Sequence, residues 1–178
     1  MDAVLSAVDR LARALAGIAM ALFLVLVFAM LYEVVARRGF NSPTVWAFDI
    51  AYMTNGTMVF LGAAYALLRN EHIRIDFLST QFPRRAQDAV NAAFYLLALI
   101  PALGYVAVFT VNEAWRTFLT GEVERASTWG PVSWPFYSGL ALGIVGLWLQ
   151  AVVQMIRHLR AATGRAASPL DSAVPEGR

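Results

Sequence analysis

Apolar residues in this chain neither alternate with a period of two nor gather on one narrow stripe; they accumulate in four long runs separated by short polar or proline-containing stretches. About 20 predominantly apolar residues in helical form cross a hydrocarbon core of about 30 Å. The runs fall at about 11–36, densest from Gly17 to Tyr32, and at about 46–68, 89–118 and 134–156. They predict an all-α membrane protein with four transmembrane helices. The third run contains Pro101 and Gly104, which predicts a kink, because proline lacks a backbone donor and its ring clashes with the preceding turn. Before the first run, Val4, Leu5, Val8, Leu11 and Ala12 share one helical face, with Asp2, Ser6, Asp9, Arg10 and Arg13 largely on the other. That pattern predicts a short N-terminal interfacial helix before the chain turns inward. The run is too long, and its start too acidic, for a cleaved signal peptide. Residues 1–160 are thus expected to form one membrane domain. Residues 161–178 are small, polar and proline-containing, and are expected to be a disordered cytoplasmic tail.

Charge supplies the orientation. Arg10, Arg13, Arg69, Arg74, Arg84, Arg85, Arg157, Arg160 and Arg165 flank the runs on one side, against Arg37, Arg38, Arg116 and Arg125 on the other. The positive-inside rule then places both termini and the central loop in the cytoplasm. Trp46, Trp115, Trp129 and Trp134 lie at or beyond run ends on the opposite face, where indole suits the headgroup layer.

Composition narrows the chemistry. Hydrophobic residues make up 59% of the chain and charged ones 15%, with a mean hydropathy of +0.58. That is far too much apolar surface for a soluble domain of 178 residues to hide. There is no cysteine, which removes disulfides, thiolate metal sites and thiol nucleophiles together. The arginines form no continuous basic stripe, so no nucleic-acid partner is expected. There is no glycine-rich phosphate loop, no HExxH, and no serine, histidine and carboxylate grouping, so no catalytic residue, metal ligand, substrate ligand or cofactor is assigned.

The central thirds of the four runs carry no ionisable group. Glu33 stands one turn before Arg37, Asp49 one turn inside the second run, and Glu113 beside Arg116, all near the outer ends. Boundary ion pairing accounts for them better than ion coupling, because charge is far cheaper at a span end than at its centre. Thr54, Asn55, Thr57, Gln150 and Gln154 are positioned to hydrogen-bond between helices. Gly139, Gly143 and Gly146 form a ridge that permits close helix approach, inside this subunit or against another. His72 and His158 sit at cytoplasmic run ends and are poorly placed as facing axial haem ligands.

The most informative stretch runs from Trp46-Ala-Phe-Asp49 through Phe60-Leu-Gly62-Ala-Ala to Arg69-Asn-Glu-His72-Ile-Arg74-Ile-Asp76. Together with Ser127-Thr128-Trp129-Gly130-Pro131, Trp134-Pro135 and a glycine-rich last run, it resembles the small membrane subunit of the tripartite ATP-independent periplasmic (TRAP) transporters. In that family a W-A-x-[DE] opening, an F-x-G-A-A helix and an H-[IV]-R-[IV]-D exit recur. The resemblance covers about residues 10–160.

What it implies is a non-catalytic scaffold in a sodium-coupled importer of organic acids, in a bacterial or archaeal cytoplasmic membrane. Such a scaffold packs beside a large permease subunit and helps dock a periplasmic substrate-binding protein. Trp46, Asp49, Gly62, Arg69, His72, Arg74 and Asp76 match the family motif and are expected to be structural or subunit-interface positions. Asp76 is expected to pair with a nearby arginine and pin the central loop. Arg37, Arg38, Glu122, Glu124, Arg125 and Trp129 are the expected periplasmic docking surface, and lipid is the remaining partner. Two rival readings stay open at this point. One is a self-sufficient proton-coupled exporter using Glu33, and the other a haem- or quinone-linked membrane anchor.

Overall fold

The computed structural model describes residues 2–69 and 84–164. His72, Arg74 and Asp76, and the tail beyond residue 164, lie outside the described residues. The elements are α1 (Asp2–Gly39), α2 (Ala47–Leu68), α3 (Arg84–Phe94), a π-helical turn (Tyr95–Leu99), α4 (Ile100–Thr120) and α5 (Trp134–Ala162). Since α3, the π turn and α4 follow one another without a break, four helical rods among the described residues are long and apolar enough to cross a membrane, as the four runs predict.

Each boundary has a local cause. α1 contains no proline, and it ends where Asn41 enters the left-handed region at φ 49° and the Ala36 carbonyl accepts from the Phe40 and Ser42 N–H groups at 3.2 and 3.0 Å. Pro43 follows and cannot continue the helix. α4 stops at Gly121, whose φ of 61° needs no Cβ and whose N–H closes on the Thr117 carbonyl at 3.1 Å. The expected irregularity at Pro101 takes the form of the π turn just before it. A wider turn accommodates both the missing donor and the ring that would strike the carbonyl four residues earlier. There Trp148 on α5 donates its indole N–H to the Ile100 carbonyl at 3.1 Å, over the small Gly104.

One expectation is corrected. The N-terminal segment is not a separate interfacial helix, because α1 runs unbroken over 38 residues, about 57 Å at 1.5 Å per residue. Nothing between Arg13 and Gly17 breaks a helix. The face carrying Leu5, Ala12 and Leu15 is buried against the bundle, not spread over a surface.

α5 is the central rod and packs against every other described helix. Its glycine ridge explains how. A Cβ on Gly143 would lie 2.6 Å from the Phe60 backbone, one on Gly139 2.5 Å from Thr57, and one on Gly146 2.5 Å from Leu15. The ridge therefore packs inside this subunit, drawing α2 and α1 onto α5. Beside it Ala12, Leu15, Leu61 and Ala64 form a core, flanked by Ala19, Leu22, Leu68 and Leu147. The large apolar side chains point outward instead, with Phe28 67% and Leu97 77% exposed, which is the arrangement a lipid solvent requires. Tyr32 stacks on Trp46, and Phe118 contacts both Trp115 and Trp134, so aromatic rings collect at one end of the bundle.

Candidate functional site

Polar side chains concentrate at the two ends of the bundle. At the end holding the α1–α2 and α4–α5 connections, Glu33 is buried near the close of α1. It accepts from Arg37 Nε at 2.8 Å, from the Thr44 N–H at 3.0 Å and from the Thr44 hydroxyl. One carboxylate thus straps the α1–α2 loop to its own helix. Asp49 is buried in the first turn of α2 and accepts from the Ser127 hydroxyl, 78 residues away in sequence. Ser127 Oγ in turn accepts from the Trp129 and Gly130 N–H groups at 3.0 and 3.4 Å. The connection between α4 and α5 is further pinned by Glu124 N–H to the Pro131 carbonyl and Ser133 N–H to the Glu122 carbonyl, both at 2.9 Å. Arg116 bridges Glu113 on its own helix and Glu122 in this connection, the latter at 3.0 Å.

Towards the other end, α5 carries a buried polar spine. Gln150, Gln154 and His158 recur every four residues on one face, each 0–1% exposed, and each bonds to a different helix. Gln150 Nε2 donates to Asp9 on α1 at 3.3 Å, Gln154 Nε2 to the Leu67 carbonyl of α2 at 2.9 Å, and His158 Nδ1 meets Asp88 on α3 at 2.7 Å. A carboxylate only accepts, so Nδ1 carries the shared proton when Asp88 is ionised. Tyr95 stacks on the imidazole with ring centroids 5.8 Å apart. Arg157 adds an ion pair to Asp9 at 2.5 Å.

Of the motif residues, Trp46 heads α2 in its stack with Tyr32, and Asp49 is the anchor just described. Gly62 faces open space, with no atom within 4 Å of where its Cβ would be. Arg69 caps α2, its N–H bonded to the Tyr65 carbonyl at 3.0 Å. Arg37, Arg38, Glu122, Glu124, Arg125 and Trp129 all fall at the end defined by Glu33 and Asp49. The Asp88–His158 pair escapes a reading based on distance from span ends, which leaves His158 at a boundary. The helical phase of Asp88, Ala92 and Tyr95, at intervals of four and three, was the available signal for an inward-facing carboxylate. Of Thr54, Asn55 and Thr57, only Thr54 is buried, and Asn55 faces outward. No three of the described histidine, aspartate and glutamate residues come together to hold a metal ion.

Against known proteins, the sequence pattern of the family described as tripartite ATP-independent periplasmic transporters, DctQ component, matches residues 26–161. The sialic acid TRAP transporter permease protein SiaT of Haemophilus influenzae is 25% identical over 95 residues, covering 52% of this chain and 15% of that protein. The sialic acid TRAP transporter small permease protein SiaQ of Vibrio cholerae is 25% identical over 85 residues, covering 48% of this chain and 49% of its own length. The chain thus matches about half of the small relative and a minor part of the large one. With its family pattern running from within α1 to the last turn of α5, this chain belongs to the DctQ component family of TRAP transporters and is a multi-pass, non-catalytic transport component.

Proposed function

We propose that this chain is the rigid scaffold subunit of a sodium-coupled importer of an organic acid in a bacterial or archaeal cytoplasmic membrane. It packs beside a large permease subunit and helps dock a periplasmic substrate-binding protein. The observation that carries this reading is the use to which buried charge is put. Each of the three carboxylates buried among the described residues, Glu33, Asp49 and Asp88, is committed to a partner within the chain. A coupling carboxylate needs freedom to exchange an ion or proton, and these are occupied in holding loops and helices together. The same fact weighs against the exporter based on Glu33, whose oxygens are taken by Arg37 and Thr44. The pairing of His158 with Asp88 weighs likewise against a haem anchor.

The relatives are named for sialic acid, itself a carboxylic acid, which favours an organic acid as the cargo of the whole assembly. The alignment of this chain with a small part of a much longer permease favours a large membrane subunit as its neighbour. With arginine-rich ends inside, both termini are cytoplasmic, and the Glu33–Asp49 end faces the periplasm. Arg37, with its side chain 62% exposed while tied to Glu33, then stands with Arg38, Glu122, Glu124, Arg125 and Trp129 where the binding protein docks. Residues 1–160 form the membrane domain and the remainder a cytoplasmic tail.

The test is reconstitution into liposomes of this chain, the large subunit and the binding protein, alone and in combination. Uptake driven by a sodium gradient is expected only when all three are present. Uptake by this chain alone, or full uptake in its absence, overturns the scaffold reading.

A further inference from the structure

An open groove of about 660 Å³ runs between the outer faces of α1 and α2. Its apolar walls include Met20 on α1 and Met58 and Gly62 on α2, with Arg13 and Tyr65 at one end. The register of the two antiparallel helices fixes where that end lies. Tyr32 on α1 stacks on Trp46 at the head of α2. Arg13 lies nineteen residues before Tyr32 and Tyr65 nineteen after Trp46, so the two are level, about 28 Å from the aromatic stack at 1.5 Å per residue. That separation is one hydrocarbon thickness. With the stack in one headgroup layer, Arg13 and Tyr65 stand in the other, and the apolar part of the groove descends from them into the membrane.

Two features suit the groove to an amphiphile. Arg13 and the neighbouring Arg10 make no hydrogen bond or ion pair with the described residues, whereas Arg37, Arg116 and Arg157 each pair with a carboxylate. A guanidinium without a counter-charge at headgroup depth is complementary to a phosphate. Gly62 lies in the interior of α2, where glycine disfavours the helix relative to alanine. The glycines of α5 repay that cost with close contacts inside the chain, but a Cβ on Gly62 would find no atom within 4 Å. What its lack of a side chain achieves is room in the groove, and flexible Met20 and Met58 line the rest.

We propose that the groove between α1 and α2 binds an anionic phospholipid, its phosphate held by Arg13 and one acyl chain lying over Gly62. A helix of the large subunit is the competing occupant. The gradation from a lone cation at headgroup depth to wholly apolar walls matches a lipid better than a helix that is apolar along its length.

The test uses the full chain, purified in mild detergent and exposed to phosphatidylglycerol or phosphatidylcholine, with retained lipid read by native mass spectrometry. Wild type is expected to retain phosphatidylglycerol in preference. Arg13→Gln should lower that retention about tenfold, as loss of one charge-assisted contact implies. Gly62→Leu should lower retention of both lipids while the chain stays folded. Arg13 is exposed and unpaired within the described residues, so its variant carries the test even if Gly62→Leu folds poorly. Equal retention by wild type and Arg13→Gln overturns the proposal. Unchanged lipid retention by Gly62→Leu overturns it as well, and if that variant also fails to co-purify with a co-expressed large subunit, the groove belongs to a protein helix.

Discussion

Gln150, Gln154 and His158 show what single residues do in this bundle. Each is a polar group buried on α5 and bonded to a different helix, so each couples the central rod to one neighbour. The Asp88–His158 pair is the most enclosed, with both residues at most 2% exposed. Removing one member deprives the other of this contact in a site closed to water. Asp88→Ala should therefore destabilise the chain by about 3 kcal/mol in thermal or denaturant unfolding in detergent, and Asp88→Ala combined with His158→Ala should cost less than the two single losses added together. Additive losses in the double variant would contradict a paired role. Part of this chemistry is legible in the sequence. The interhelical use of Gln150 and Gln154 follows from polar residues in an apolar run. The partners, 141 residues away for Asp9 and 70 for Asp88, depend on which helices become neighbours, and periodicity carries no information about that.

Among the elements, the glycines separate into two kinds that sequence spacing alone does not distinguish. Gly139, Gly143 and Gly146 mark a ridge by their near-GxxxG spacing, but only the packed bundle shows that α1 and α2 fill it. Gly143→Val places a Cβ within 2.6 Å of the α2 backbone, which cannot yield as a side-chain tip does, and should cost about 3 kcal/mol in stability. Gly62→Ala meets no atom of this chain and, by helix propensity, should stabilise α2 by about 1 kcal/mol. Equal effects of the two substitutions on unfolding would contradict the assignment of the ridge. The irregularity at Pro101 is similarly legible in kind but not in form. Missing donor and ring clash are local facts, while the bond from Trp148 to the Ile100 carbonyl just after the π turn depends on how α5 packs. The N-terminal amphipathic pattern misled for the converse reason. An apolar face suits a membrane surface and a helix partner equally, and here the partner is the bundle itself.

At the scale of the whole molecule, the four rods and the family are readable from hydrophobic runs and motif residues, because run length answers to bilayer thickness whatever the tertiary packing. The orientation is a separate claim. The chain lacks cysteine, so single cysteines introduced at Arg125 and at Thr163 can be labelled in intact cells with a membrane-impermeant maleimide. Labelling at 125 is expected from outside and labelling at 163 only after lysis; the reverse pattern would invert the topology. The central claim is that the buried carboxylates hold the scaffold together and take no part in coupling. Its most direct measurement is the sodium dependence of substrate uptake by reconstituted transporter carrying Glu33→Gln and Asp49→Asn, normalised to the amount of complex assembled. The account predicts less assembled complex and, in what assembles, a half-saturating sodium concentration equal to that of wild type; a shifted sodium dependence with normal assembly would contradict it.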